Sequence, residues 1–388
     1  AIVVFFGFAI YLNSGALYRS LDGLTVKNTE VTAEDGTAIA AGERSFSVAE
    51  CNYIYHMQYI SLMNTYGDYA STLFKLDTSK PLDEQECPSF MNTEGKENYT
   101  WDRYFRDATR SQLKQLAAYE AYAGQHDIKL DDDDLKEIDD TIASIAETAK
   151  KNNYGSVSKF LAANYGRGCN QSVARDIMKR QALAAKVQTS ITDAETYTAE
   201  ELAAKYDSVK DSYDKFTYSY YLVAAEVPEH VHSEDESEDE HNHASEPTDE
   251  AKAAAHTTAE DILKKLSDGS SLADAAKAAV EGAEIKEQTD LVGSSVESDI
   301  SEWLKSADRK AGDTTVIDGS TGSYVVVFTK RDNNQAPTEE SGDQNYCDYV
   351  AENLLKQDVL SEWNEHVFSG IVEVYKGSFT GASRYVGI

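Results

Sequence analysis

FTYSYYLVA, residues 216–224, and SYVVVFTKR, residues 323–331, are the stretches whose reading decides the fold. Both are dense in aromatic and β-branched residues, which fit a pleated, half-buried surface, so both read as β-strands. Alternation places Phe216, Tyr218, Tyr220 and Leu222 on one face of the first strand. The second is nearly all apolar from Tyr324 to Phe328, the pattern of a central strand. Just before it, TTVIDGSTG (314–322) supplies a short strand and a glycine-bounded turn, hence a hairpin. Little else in the chain reads as strand, so a small sheet is bracketed by these segments and the rest is mostly helical.

Between the two strands, AEDILKKLSDGSSLADAAKAAV (259–280) has helical periodicity, with Ile262, Leu263 and Leu266 on one side. Asp268 and Gly269 mark a helix end, and Ser270 or Ser271 can cap a second helix. Residues 285–292 form a weak strand. DISEWLKSA (299–307) is a short helix capped by Ser298 or Asp299. The resulting order, β-α-α-β-α-β-β, with LSDGSSLADAAKAA and AGDTTVIDGSTGSYVVVFTKR in their places, resembles the parvulin (rotamase) peptidyl-prolyl isomerases over about a third of the chain.

That resemblance implies a pair of hydrogen-bonded histidines under the prolyl peptide, and here the chain departs from it. The two positions fall on Tyr220 and Tyr324. A tyrosine hydroxyl donates and accepts hydrogen bonds but does not titrate near neutral pH. The plain alternative is that both rings are sheet-face packing. Leu222, Trp303 and Phe328 stand where the resemblance places a substrate pocket.

The rest of the chain extends the likeness. In residues 45–74, SFSVAECNYIYHMQYISLMNTYGDYASTLF, Ser47 with Glu50 three residues on gives a capping box, and apolar residues lie on more than one side. Helical segments follow at 100–128, 133–152, 156–163, 170–189 and 199–212. This order resembles the chaperone domain of SurA/PrsA-type foldases, with YTAEELAAKYDSVKDSYDKF as the helix that precedes the rotamase strand. NYCDYVAENLLKQDVLSEWNEHVF (345–368) is an amphipathic helix carrying Val350, Leu354, Leu355, Leu360, Trp363 and Val367, a stripe that needs a partner. In this family such a helix returns to complete the N-terminal helical domain.

The expected organisation is therefore α+β. Residues 1–18 are a truncated membrane anchor or signal segment and 19–44 a linker with short extended pieces such as LTVKNTEV. A mostly helical chaperone domain occupies 45–214, and an inserted small parvulin-like α/β domain 215–332. A closing helix spans 343–369 and a tail 370–388. The run AIVVFFGFAIYL (1–12) has no initiating Met and reads as part of a longer transmembrane segment. A buried helix and a cleaved signal are the other readings. The first cysteine is Cys51, too distant for a lipoprotein anchor, which many PrsA-type foldases carry.

With 36 Lys and Arg against 68 Asp and Glu, the net charge of −32 excludes nucleic acid as a partner, since nothing neutralises a phosphate backbone. Cys51, Cys87, Cys169 and Cys347 form no CxxC pair, so neither a zinc knuckle nor a redox motif is present. No GxSxG, HExxH or Walker motif occurs. Residues 131–134 lack the glycine and terminal glutamate of a calcium loop.

The strongest local anomaly is EVPEHVHSEDESEDEHNHASEPTDE (226–250), an acidic insertion after the first rotamase strand. His230, His232, His241 and His243 form two His-x-His pairs that suit zinc or another divalent transition metal, and the competing reading is an acidic disordered loop. The foldase reading itself requires no cofactor. It implies an extracytoplasmic protein anchored to the cell membrane, whose partners are unfolded or nascent secreted polypeptides. An active prolyl isomerase and a metal-binding surface protein are the two alternatives.

Overall fold

The computed structural model describes residues 14–28, 31–32, 38–39, 42–67, 69–227, 246–369 and 371–375. They are mostly helical with small antiparallel sheets, an α+β fold in two compact units. One unit comprises Ala1–Thr196 with Lys356–Ile388, and the other is Tyr197–Leu355.

The first unit opens with helix α1 (Ala16–Ser20), strand β1 (Asp22–Asn28), the short pair β2 (Val31–Thr32) and β3 (Ala38–Ile39), and β4 (Gly42–Ser47). Helix α2 (Val48–Tyr66) starts at the expected capping box. Ser47 Oγ accepts from the Glu50 amide at 3.2 Å and Glu50 Oε2 accepts from the Ser47 amide at 2.7 Å. Gly67, at φ 51°, ends it. The short helix α3 (Tyr69–Leu73) then leads to α4 (Trp101–Gln125), α5 (Asp132–Lys151), α6 (Val157–Tyr165) and α7 (Gln171–Asp193). α2 is buried on several sides, through Cys51, Tyr53, Ile54, Tyr55 and Tyr59, because α4, α6 and α7 all pack on it. The core includes Trp101 stacked on Phe105, centroids 5.7 Å apart. Beneath it the buried Asp102 accepts from Tyr55 Oη at 3.0 Å and Arg106 Nε at 2.7 Å.

The second unit begins with α8 (Ala199–Tyr213) and β5 (Lys215–Ala224), followed by α9 (Asp249–Ser267), α10 (Leu272–Ala279), β6 (Lys286–Val292), α11 (Ser298–Lys305), β7 (Thr314–Asp318), β8 (Gly322–Asp332) and α12 (Tyr346–Ser369). Its sheet has order β6-β5-β8-β7, antiparallel throughout. β5 and β8 are central, as the apolar run of β8 leads one to expect for that strand. α9 and α10 bury Ala255, Ala259, Ile262 and Leu272 against Val223 and Val325 on one face. α11 buries Ile300 and Leu304 against Phe216, Tyr218, Tyr220 and Val326 on the other. The sheet is tied to α8 by Asp214, which is buried and accepts from Arg331 Nε at 2.7 Å and Tyr206 Oη at 2.8 Å.

α12 divides between the units at Leu355 and Lys356. Its first half packs Cys347, Val350 and Ala351 with Tyr206 of α8. In its second half, Trp363 and Val367 join the core of the first unit. Strand β9 (Ile371–Tyr375) then pairs with β1, giving the sheet order β4-β1-β9.

Several expectations change. The stretch 19–44, read as a linker, supplies β1 and β4, and Leu24 and Val26 of β1 are completely buried. The tail contributes β9. α8 belongs with the sheet unit, so the boundary falls at Thr196 and Tyr197 instead of at 214. α9 starts ten residues earlier than its apolar stripe indicated, at a Thr248 cap whose Oγ1 accepts from the Ala251 amide at 3.2 Å. Of the expected membrane segment 1–18, residues 1–13 lie outside the described residues and 16–18 enter α1. No helix among the described residues is long and apolar enough to cross a membrane.

Candidate functional site

Register builds the sheet site row by row. Leu222 of β5 faces Tyr324 of β8, which faces Ile317 of β7. One row along, Tyr220 faces Val326, and beyond it Tyr218 faces Phe328. Residues paired across an antiparallel ladder share a face, so these rows form one surface, which α11 covers with Trp303 at its edge. The structure thus brings Tyr220, Tyr324, Leu222, Trp303 and Phe328 into one apolar cluster.

The two tyrosines are 5.8 Å apart, ring centroid to centroid, with planes tilted by 49°. Tyr218 stacks on Tyr220 from the other side at 6.0 Å. Tyr220 Oη donates to Glu297 Oε1 at 3.2 Å, and the Lys286 ammonium lies 5.6 Å from the Tyr220 ring centre. Burial, reinforced by Glu297, pushes the Tyr220 phenol up to about 12. Burial and then Asp299 raise that of Tyr324. Both hydroxyls are therefore protonated donors at neutral pH and neither can serve as a base. α11 lacks the expected serine or aspartate cap. Glu297 occupies the cap position and makes no side-chain cap bond, while its Oε1 accepts from Tyr220.

The site is closed. Tyr220 is 2% and Tyr324 7% exposed, and Phe328 is buried. Gly319 of the hairpin turn sits so near Tyr324 and Asp299 that a Cβ there would strike both. Beside this cluster a shallow cleft of ≈ 660 Å³ is lined by Asp211, Asp299, Trp303, Arg309 and Ile317. Of the five expected residues only Trp303 reaches it, and the Arg309 guanidinium lies 4.6 Å over the indole.

A feature that the sequence reading missed lies in the first unit. Tyr69 is 71% and Phe90 63% exposed, with Tyr66 and Leu73 also open to solvent. The buried Phe74 lies beneath them. Its ring meets Tyr66 edge-on at 4.6 Å and lies 6.0 Å from Phe90. Tyr69 and Leu73, four apart on α3, share a face. A clustered aromatic surface of this kind marks an interaction site more often than scattered apolar residues do. Its sequence signal was the density of aromatic residues over 66–74.

Other candidates carry less chemistry. All four cysteines are buried and unpaired, and burial raises their thiols, Cys87 to about 11, so none is an activated nucleophile. His256 Nδ1 lies 2.8 Å from Asp318 Oδ1, which accepts from Ser323 Oγ at 2.6 Å. The hydroxyl faces the carboxylate instead of the imidazole, which is not a nucleophile–base arrangement. His230, His232, His241 and His243 lie outside the described residues, and among the described residues no group of three or more His, Cys, Asp or Glu side chains is placed to hold a metal ion.

No family model and no curated protein matches the chain. Its neighbours among solved structures are SurA-like chaperones and PrsA peptidyl-prolyl isomerases. PrsA of Bacillus cereus, a peptidylprolyl isomerase, is 14% identical at a TM-score of 0.32, covering 70% of this chain and 87% of that one. The foldase PrsA of Lactococcus lactis is 18% identical at 0.26, with 71% and 87% covered. One of the SurA-like chaperones PEB4 and Cj1289 of Campylobacter jejuni is 14% identical at 0.26, with 70% and 88% covered. At these scores the likeness carries no functional argument, and function is argued from this chain's own residues.

Proposed function

We propose that this chain is an extracytoplasmic protein-folding factor, held at a membrane by its N-terminal apolar segment. It binds unfolded or nascent secreted polypeptides and isomerises prolyl peptides weakly or not at all. The observation that carries the reading is the open aromatic patch of Tyr66, Tyr69, Leu73 and Phe90, set against the closed tyrosine pair of the sheet. An unfolded client offers apolar and aromatic side chains, and a patch of rings captures them without regard to sequence. The high negative charge keeps such a protein from aggregating with its clients.

Prolyl isomerisation requires a twisted amide to be held against a barrier of roughly 18–20 kcal/mol, with polar groups aimed at the prolyl peptide. Tyr220 spends its hydroxyl on Glu297, and both rings are covered. The His-x-His pairs of the insertion support a separate, subsidiary role in binding zinc or a similar metal.

The reading is tested by photo-crosslinking. A benzophenone amino acid placed at position 90 should capture an unfolded client, and one at position 303, beside the sheet cleft, should capture little. Equal or reversed yields would move client binding to the sheet unit.

A further inference from the structure

A second cleft, of ≈ 740 Å³, lies in the first unit between α1 and the starts of α6 and α7. Its lining includes Arg19, Lys159 and Arg167, together with Ser14, Ser158 and Asn170. No acidic side chain of the described residues lines it, in a chain whose net charge is −32. Elsewhere most described arginines sit against carboxylates, among them Arg44, Arg106, Arg175, Arg180 and Arg331. Arg19 and Arg167 do not. Arg19 Nη1 donates to the carbonyls of Ser14 and Gly168 at 3.2 and 3.0 Å, and Arg167 Nη1 donates to Tyr18 Oη at 3.2 Å. These bonds orient both guanidiniums and leave their charges uncompensated by any described carboxylate.

The backbone contributes too. Ser158 and Lys159 stand in the first turn of α6, and Asn170 caps α7, so both helices begin beside the cleft. The loop between them closes on α1 through glycine. Gly168, at φ +92°, and Gly15, at φ +73°, approach so closely that a Cβ on Gly15 would lie 2.8 Å from Gly168 Cα. Arg19 and Arg167 are thereby brought to one opening.

We propose that this cleft binds a phosphate group. Arginine forks match the paired oxygens of phosphate and lysine supplies a further point charge. Three cations exceed what a single carboxylate needs. The cleft begins at Ser14, two residues after the apolar run AIVVFFGFAIYL ends. A chain leaving a bilayer there meets the phosphate layer first, so a phospholipid headgroup and a free phosphate are the two sources of this chemistry.

The test uses the full chain and two probes. Isothermal titration with inorganic phosphate reads the site itself. Co-sedimentation with phosphatidylcholine vesicles, with and without phosphatidylglycerol, reads the headgroup, because only the difference between compositions reports charge recognition. The double variant Lys159→Gln/Arg167→Gln should bind phosphate at least about tenfold more weakly, as expected for losing charge-assisted bonds. It should also lose the preference for phosphatidylglycerol, while Arg167→Lys should keep most of both. Phosphate binding without a vesicle preference supports the site and assigns it to free phosphate. A wild-type protein that neither binds phosphate nor distinguishes the vesicles overturns the proposal. So does a double variant equal to wild type, or a peptide carboxylate that binds more tightly than phosphate. Lys159 is exposed, so unfolding of its single variant Lys159→Gln cannot account for a loss of binding.

Discussion

Trp363 lies flat on Tyr119, with ring centroids 5.1 Å apart and planes 2° from parallel. The Tyr119 hydroxyl accepts from Gln188 Nε2 and donates to Asn364 Oδ1, both at 2.9 Å. A helix from the end of the chain is thereby joined to α4 and α7 in the first unit. Trp363→Ala removes this stacked ring and leaves a void, which costs about 3 kcal/mol on the usual scale for such truncations. Thermal unfolding followed by circular dichroism should show the helical unit melting well below wild type. An unchanged melting curve would refute the closing role of α12.

His56 predicts a pH dependence. It is buried on α2, and desolvation lowers its imidazole from 6.5 to about 4. Above pH 6.5 it is neutral in both folded and unfolded chains and contributes no slope. As pH falls from 6.5 towards 4 the unfolded chain takes up a proton that the native state refuses, so stability declines. At pH 5 the loss is about 2 kcal/mol, at 1.36 kcal/mol per pH unit. The stability difference between wild type and His56→Gln, measured by urea unfolding, should shift by that amount between pH 7 and pH 5. A difference independent of pH would mean that the imidazole is not held neutral.

Tyr220→Phe deletes one hydrogen bond to an exposed carboxylate, so its stability cost should be about 1 kcal/mol. The wild-type protein should isomerise a proline peptide far more slowly than a histidine-bearing parvulin, and the variant should do no worse. A wild-type rate typical of parvulins that collapses in Tyr220→Phe would establish the tyrosine as catalytic.

For the insertion, zinc titrated into the full chain at pH 7 should bind more tightly than millimolar through His230, His232, His241 and His243. Binding should weaken below about pH 6, because imidazole ligates only when neutral. Replacing the four histidines with glutamine should abolish it. Unchanged affinity in that variant would remove the metal role.

The second unit was legible because its signals are local. Aromatic and β-branched runs gave β5 and β8, and the glycine turn gave their hairpin partner β7. The pairing of β1 with β9 was not legible, since it joins the two ends of the chain. LTVKNTEV reads as an extended piece of a linker, and nothing in it tells that Leu24 and Val26 are buried in a core. The α9 start had a signal in Thr248, Asp249 and Glu250, hidden by the acidic run that precedes it. Alternation put Tyr220 on one face with Phe216, Tyr218 and Leu222, and only the resemblance to parvulins paired it with Tyr324; α11 and Glu297 closing over the pair depend on packing that no spacing encodes. Exposure of Tyr69 and Phe90 was equally invisible, because an aromatic-rich helix reads as core until its neighbours are placed.

The central claim is that clients bind the aromatic patch of the helical unit and not the tyrosine face of the sheet. Its most direct test is light scattering from a denatured client diluted into buffer with each variant. Tyr69→Ser/Phe90→Ser changes two exposed side chains and should lose most of the aggregation suppression without loss of stability, whereas Tyr220→Phe/Tyr324→Phe should suppress as well as wild type. Full suppression by the patch variant together with loss in the sheet variant would contradict the account.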